Sequence, residues 1–311
     1  MPATLEASAR WEQVQERAAA IRKETARVIV GQEEIVEQLL TSLLCKGHCL
    51  LVGVPGLAKT LLVSTLGRIL GLKFQRIQFT PDLMPSDIVG TEILQTSDDG
   101  SREFKFAAGP IFANLLLADE INRTPPKTQA ALLEAMQEKQ VTVNGVTRRL
   151  EEPFTVFATQ NPIEHEGTYP LPEAQLDRFF FELRIGYPSI EEEEQIVLRT
   201  TGRDMAAPQT LLDAAGVLDL QDAALDVPLP DSVVKTILKL VHSTRPDSLH
   251  ATADVRNYVS FGAGPRASQC LARAVRALAL PILRHRVIPN YNATGEGITT
   301  DTIVEKLAAA L

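Results

Sequence analysis

The sequence predicts an α/β protein: a parallel sheet flanked by helices, followed by a second, smaller all-α part. Three observations carry that expectation. Short apolar runs (Cys49–Val52, Leu115–Leu117, Phe154–Ala158, Phe179–Leu183) alternate with stretches of helical periodicity. Runs this short and this uniformly apolar suit strands buried on both faces, as in a parallel sheet sandwiched between helices. After Tyr187-Pro188 such runs stop and helical patterns take over, which places a boundary between residues 1–187 and 188–311. With 311 residues, 45% of them hydrophobic and 23% charged, the chain has the composition of an ordinary globular protein with a real core.

Each element follows in order. Trp11, Val14, Ala18, Ile21 and Thr25 recur at helical steps, so residues 10–27 read as an amphipathic helix. Gly31-Gln32 opens a second helix, Glu33–Leu44, and Cys49–Val52 is a buried strand closed by a glycine loop. Thr60–Leu70 returns to helix, Phe74–Phe79 alternates as a strand does, and Lys127–Glu138 is helical again. Asp87–Phe106 places Asp98, Asp99 and Gly100 between β-compatible stretches. Val141–Leu150 turns at Asn144-Gly145, a favoured hairpin pair. Beyond the boundary, Glu191–Thr200, Asp231–Ser243 and Ser268–Leu280 read as helices. The carboxylates Glu191–Glu194 fall at a helix start, where the helix dipole favours negative charge, and read as a solvated face.

Composition excludes several classes. The 31 Lys+Arg against 39 Asp+Glu give a net charge of −8, which argues against a general nucleic-acid binder. No apolar run approaches the ~20 residues of a membrane-spanning helix. Met1–Glu24 carries Glu6, Arg10, Glu12, Glu16 and Arg17, so no signal peptide is expected there. Cys45, Cys49 and Cys270 do not form a disulfide framework, and a soluble, cytoplasmic protein is expected.

The strongest local signal is Gly53-Val54-Pro55-Gly56-Leu57-Ala58-Lys59-Thr60, between a predicted strand and a predicted helix. This is the context of a phosphate-binding P-loop, in which successive backbone N–H groups converge on a polyanion at a helix N-terminus. Gly53 and Gly56 would supply unusual backbone angles, Lys59 would reach the β/γ-phosphates and the Thr60 hydroxyl would join a Mg²⁺ shell. The general pattern has Gly before the lysine; Ala58 fits there if its backbone stays right-handed.

Leu115–Ala118 is an apolar strand ending in Asp119-Glu120, and strand ends of a parallel sheet line the ligand crevice. Asp119 is placed to hold Mg²⁺, mostly through water, and Glu120 to polarise an attacking water. A third strand ends at Thr159-Gln160-Asn161-Pro162, where the Asn161 amide would meet a γ-phosphate or orient the water. The duller alternative for that segment is a simple Asn-Pro turn.

Together these residues resemble an AAA+ ATPase of the MoxR family. The resemblance rests on Val30-Gly31-Gln32, Gly53–Thr60 with its Ala-Lys-Thr ending, Leu117–Arg123 and Pro125–Gln129. It continues through Ala131–Gln137, Ala158–Pro162, Leu171–Phe179 and Gly264–Ser268. It implies ATP or ADP bound with Mg²⁺, with Val30, Gly31 and Gln32 near the adenine and the loop contacts running from Gly53 to Leu61. Asn161 would be the first sensor, Arg178 an arginine finger inserted into a neighbouring subunit's site, and Arg266 the second sensor on a helical lid. The Asp87–Phe106 and Val141–Leu150 segments resemble the helix-two insert and pre-sensor hairpin of this clade. The resemblance further implies a homo-oligomeric ring, a hexamer, acting on client proteins with a partner that carries a von Willebrand factor A domain, with no nucleic acid and no membrane span. Two other functions stay open: a chelatase motor inserting Mg²⁺ into a porphyrin, and a DNA-associated motor. On the C-terminal side Ala277–Leu280 runs directly into Pro281–Arg286, where the resemblance implies an intervening loop and helix. The lid is therefore either shortened or lacks a stretch in the given chain.

Three smaller signals point elsewhere. Cys45, His48 and Cys49 are too few for a closed zinc site and read as buried structure. His165 falls in the loop after Asn161, and Arg284-His285-Arg286 reads as a lid surface or subunit contact.

Overall fold

The computed structural model describes residues 2–96, 102–164, 167–202, 207–227, 229–274 and 286–309. The turn at Asp98-Asp99-Gly100, His165, and the stretch from Val275 to His285 lie outside those residues. The N-terminal part begins with helices α1 (Pro2–Thr25) and α2 (Glu33–Leu44), then β1 (Cys49–Val52), α3 (Lys59–Ile69), β2 (Phe74–Gln78) and the short α4 (Pro85–Val89). A hairpin of β3 (Gly90–Thr96) and β4 (Arg102–Ala108) precedes β5 (Leu115–Asp119). Helix α5 (Pro126–Glu138), a second hairpin of β6 (Gln140–Val143) and β7 (Val146–Arg149), β8 (Thr155–Gln160), α6 (Glu173–Leu176) and β9 (Phe181–Arg184) complete it.

Five strands form one sheet in the order β2-β5-β8-β1-β9, and every neighbouring pair is parallel. The apolar runs explain why. Successive side chains of a strand point to opposite faces, and both faces here are covered. Leu51, Leu117 and Phe157 face a core shared with Leu39, Leu62 and Leu66 of α2 and α3. Leu50, Leu116, Ala118 and Val156 face a second core with Leu132, Leu133 and Met136 of α5. A strand apolar on one face only would leave half of this sheet in water. The crossovers carry β1, β5 and β8 in the same direction, so their C-terminal ends meet at one edge.

The two hairpins project from this frame. Asn144 and Gly145 both have positive φ (50° and 80°), the backbone of the tight hairpin turn their sequence predicts. Glu92 of β3 accepts from Asn144 at 3.1 Å and pairs with Arg148 of β7 at 3.8 Å. The Arg148 guanidinium lies 3.8 Å over the Phe106 ring, so the hairpins lean on one another.

The C-terminal part is helical, as expected: α7 (Ile190–Thr200), α8 (Ala214–Leu225), α9 (Asp231–Ser243), α10 (Ala253–Tyr258) and α11 (Pro265–Ala274). It departs from all-α in one detail, a short antiparallel pair of β10 (Val259–Phe261) and β11 (Ile288–Pro289). Helices α12 (Tyr291–Gly295) and α13 (Thr300–Ala309) follow. Helix α8, unmarked by any strong periodicity in the sequence, is started by Asp213, whose carboxylate accepts from Gly216 N at 2.8 Å. It packs on α1 and α2 through Val14, Leu220 and Ala223.

His48 sits just before β1 and is fully used by the fold. Its Nδ1 accepts from Val156 N at 2.9 Å and its Nε2 faces the Met136 carbonyl at 3.2 Å, which assigns the proton to Nε2. Burial disfavours the imidazolium and lowers its pKa from 6.5 to about 4. The neutral ring's contribution to stability is therefore complete above pH 6.5 and is lost as pH falls through 4. Between pH 7 and 4.5 the wild type should lose about 2–3 kcal/mol more unfolding free energy than His48→Asn, which cannot titrate. Denaturant titrations at the two pH values check this; equal losses would place His48 at its ordinary pKa.

Candidate functional site

The loop between β1 and α3 is held at both ends. Gly53 N donates to Gln160 O at 3.2 Å, tying its start to the end of β8. A Cβ on Gly53 would fall 2.8 Å from the Ile185 carbonyl oxygen, so the residue is needed for close packing rather than for an unusual φ. Gly56 is the residue with the unusual angle, φ 87°, and nothing lies within 4 Å of where its Cβ would be. That space is open to a ligand. Leu57 is buried and anchors the loop, and its carbonyl accepts from Gln32 Nε2 at 3.4 Å. Gln32, at the end of the Val30–Gln32 segment, thereby touches the Gly53–Thr60 loop.

Ala58 corrects the expectation of a right-handed backbone: its φ is 55° and ψ 22°, in the left-handed region. The reason is the helix start. Ala58 is the N-cap of α3, and no side chain caps that helix, so its first N–H groups are left without a side-chain acceptor. A helix N-terminus of this kind attracts anions. Lys59 adds a full charge, its ammonium folded back onto the Gly53 carbonyl. Burial lowers the Lys59 pKa, while Asp119 and Glu120 oppose that shift by favouring the cation.

The acidic pair stands at the end of β5. Thr159 on the neighbouring β8 joins both members: its hydroxyl donates to Asp119 Oδ1 at 2.5 Å and accepts from Glu120 N at 2.8 Å. Asp119 is buried, and its other oxygen receives Arg76 of β2 through Nη2 at 2.7 Å and Nε at 3.1 Å. Glu120 lies at φ 57°, and its Oε2 accepts from Gln78 Nε2 at 2.8 Å. Arg123 pairs with the same oxygen at 3.2 Å and with Glu164 at 2.7 Å. Neither Arg76, Gln78, Thr159 nor Arg123 was assigned a role from sequence. The alternation of β2 held the signal: Arg76 and Gln78 lie two apart on one face, beside the β5 end.

Asn161 is buried just past β8, and its Oδ1 accepts from Ile163 N at 3.1 Å. Its amide nitrogen makes no hydrogen bond among the described residues. The two distal arginines sit elsewhere. Arg266, at the start of α11, pairs with Asp177 at 3.3 Å, next to Arg178. Among the described residues Arg178 makes no side-chain hydrogen bond or ion pair, and neither arginine contacts the Gly53–Thr60 loop, Asp119 or Glu120. The structure thus places Lys59, Thr60, Asp119, Glu120 and Asn161 at the C-terminal ends of adjoining strands or in the loops and helix start that follow them, and Arg266 at another place, against the Asp177 that precedes Arg178.

The donor set suits Mg²⁺ held with a nucleotide. A hydroxyl and a carboxylate are hard oxygen donors, and Mg²⁺ commonly takes one or two protein oxygens beside substrate phosphates. Among the described residues no group of three His, Cys, Asp or Glu side chains stands ready to cage a metal.

A parallel sheet with a glycine-lysine loop entering a helix after β1, and an acidic pair at the end of an adjoining strand, defines a P-loop nucleotide-binding protein. Residues 48–181 match the model of the ATPase family associated with various cellular activities (AAA). The chain is 46% identical over 301 residues to Chaperone MoxR1 of Mycobacterium tuberculosis, spanning 91% of this chain and 79% of that protein. It is 43% identical to the uncharacterized protein YeaC of Bacillus subtilis, over 92% of this chain and 91% of that one. The crystal structure of a candidate ATPase from Cytophaga hutchinsonii superposes with a TM-score of 0.91 at 39% identity, covering 99% of this chain and 98% of the other. The chain belongs to the MoxR family of AAA ATPases.

The left-handed Ala58 gives a test of the loop. Left-handed backbone costs an L-residue about 1–2 kcal/mol, a penalty glycine escapes. Ala58→Gly should therefore leave thermal stability unchanged or raise it, whereas the β-branched Ala58→Val should lower it by more than about 1 kcal/mol. Calorimetric melting of the three proteins checks the order; a destabilised Ala58→Gly would mean a right-handed loop.

Proposed function

We propose that this chain hydrolyses ATP with Mg²⁺ and uses the cycle for chaperone-like remodelling of client proteins, a reading supported by its similarity to a relative named a chaperone, MoxR1. Residues 1–187 would form the ATP-binding domain and 188–311 its helical lid. The observation that carries this is the arrangement at the end of β5: two carboxylates bridged by Thr159 and close enough to Lys59 to act on its charge. In this reading the amides of Gly53–Thr60 and Lys59 grip the phosphates, and Gln32 serves the adenine. The buried Gln32 Oε1 has no partner among the described residues, which suits an acceptor waiting for an amino group. Thr60 and Asp119 would hold Mg²⁺, which supplies charge neutralisation on the phosphate oxygens.

Glu120 would polarise the attacking water and Asn161 would orient it. The Gln78 and Arg123 contacts both hold Oε2 of the Glu120 carboxylate, so Oε1 would be the oxygen that meets the water. Arg178 would be donated to a neighbouring subunit's site in a homo-oligomeric ring. Its lack of a side-chain partner among the described residues supports that, as does its place next to Asp177, the residue that Arg266 pairs with. A partner with a von Willebrand factor A domain and a cytoplasmic setting belong to the same proposal.

Glu120→Gln should bind ATP with an affinity within about threefold of wild type and lose at least about 100-fold in turnover, the scale of a lost general base. Calorimetric binding and phosphate release measure both; wild-type turnover in this variant would overturn the Glu120 assignment. Arg178→Ala should likewise keep ATP binding and lose about 10³-fold or more in turnover, the lower range for a missing arginine finger.

A further inference from the structure

The buried guanidinium of Arg286 has no part in the site described above, yet it holds the turn that carries Arg178. We propose that Arg286 is the positioning residue for Arg178, fixing the finger's backbone so that its guanidinium is aimed out of its own subunit. The proposal rests on the assignment of Arg178 as the residue donated to a neighbour's site.

The side chain of Arg286 is 2% exposed. Its Nε pairs with Asp177 Oδ1 at 2.7 Å, and its Nη2 donates to the carbonyls of Asp177 at 3.0 Å and Phe179 at 2.6 Å. Its Nη1 reaches the Phe180 carbonyl at 3.3 Å. The bonded carbonyls bracket Arg178 on both sides, while Arg178 N itself donates to Gln175 O at 3.1 Å. The peptide planes around the finger are thereby locked. Phe179 and Phe180 are buried, so without Arg286 their carbonyls would lose a hydrogen-bond donor inside the protein. A planar fork of N–H donors can serve a carboxylate and several carbonyls together; an ammonium cannot.

Charge supports the same assignment. Asp177 is shared by Arg286 and by Arg266. One carboxylate thus faces two guanidinium groups beside a third, Arg178, and the surplus positive charge favours a polyanion brought to this face. Arg266 and Arg286 both belong to the C-terminal helical part, so that part grips the finger turn directly. A simple packing role would leave turnover untouched whenever the protein is folded. A positioning role would not.

The test uses full-length protein. Arg286→Gln and Arg286→Lys should keep ATP affinity, with KM within about threefold of wild type, and lose about tenfold or more in kcat, the pattern of a contact that matters only in the transition state. Mixing Arg286→Gln with Glu120→Gln should then restore turnover above the sum of the two alone, because each Glu120→Gln subunit offers an intact finger to a competent site. Wild-type kcat in either folded Arg286 variant, or a mixture no more active than its components, overturns the proposal. Loss of folding in both variants would make Arg286 a purely structural residue and overturn it too. Arg178→Ala is the separate control: if it keeps wild-type turnover the finger assignment itself fails, whereas a dead Arg178→Ala beside an active Arg286→Gln refutes only the positioning role.

Discussion

Two adjacent carboxylates at the end of a buried strand are the constraint around which this sheet edge is organised. Like charges on neighbouring residues repel, and the more so the less water separates them. Asp119 and Glu120 are kept side by side by cations on every flank: Arg76 on the first, Arg123 on the second, and Lys59 acting on both. Thr159 adds the short-range part, donating to one residue and accepting from the backbone of the other. The hydroxyl sits there because β8 runs parallel beside β5, in a register that pairs Ala118 with Ala158. A sheet shifted by one residue would turn Thr159 to the opposite face. The strand order is thus what places the chemistry, and the apolar runs are what fix the strand order.

The cations around the pair differ in what a bound triphosphate would ask of them. Lys59 is tied to a loop carbonyl through a single flexible stem, so it can move to a phosphate without disturbing the sheet. Arg76 binds Asp119 through two nitrogens and would compete with any metal for that carboxylate. Arg123 is divided between Glu120 and Glu164, which links the acidic pair to the loop beyond Asn161. The site is consequently a balance of like and unlike charges that a polyanion with Mg²⁺ would reset as a unit.

The sheet was legible in the sequence because both its faces are buried. Cys49–Val52, Leu115–Leu117 and Phe154–Ala158 needed no partner information to be read as strands, and Glu33–Leu44 and Asp231–Ser243 fall where the periodicity put them. What stayed hidden was set by tertiary contact. Helix α8 is defined by its cap at Asp213 and its seat on α1 and α2, and β10 pairs with a distant two-residue strand. The loop, Asp119, Glu120 and Asn161 were visible through motif and strand end. Arg76 and Gln78 were not, because a strand's polar face looks alike whether it meets solvent or a neighbouring carboxylate. Arg286 was read as part of a surface cluster; its burial depends on a turn more than one hundred residues earlier in the chain, at Asp177.

The backbone itself marks the same place. Non-glycine residues with positive φ are uncommon, and among the described residues Gln32, Ala58 and Glu120 are three of six. Each of these three lies at the edge proposed to take the nucleotide: Gln32 against the loop, Ala58 at the start of α3, Glu120 at the end of β5. Strain of this kind persists only where neighbours over-determine it. Here the neighbours are identifiable, namely the Leu57 carbonyl for Gln32, the helix that Ala58 begins, and Thr159 with Arg123 for Glu120. At these turns the Glu120 N–H meets the Thr159 hydroxyl, the Gln32 amide meets the Leu57 carbonyl, and Ala58 opens α3 with no side chain capping it. A chain relaxed to right-handed angles at all three positions would keep the apolar runs that build its sheet and its cores, while the contacts that join Gln32 to the loop and Glu120 to Thr159 would have to form anew.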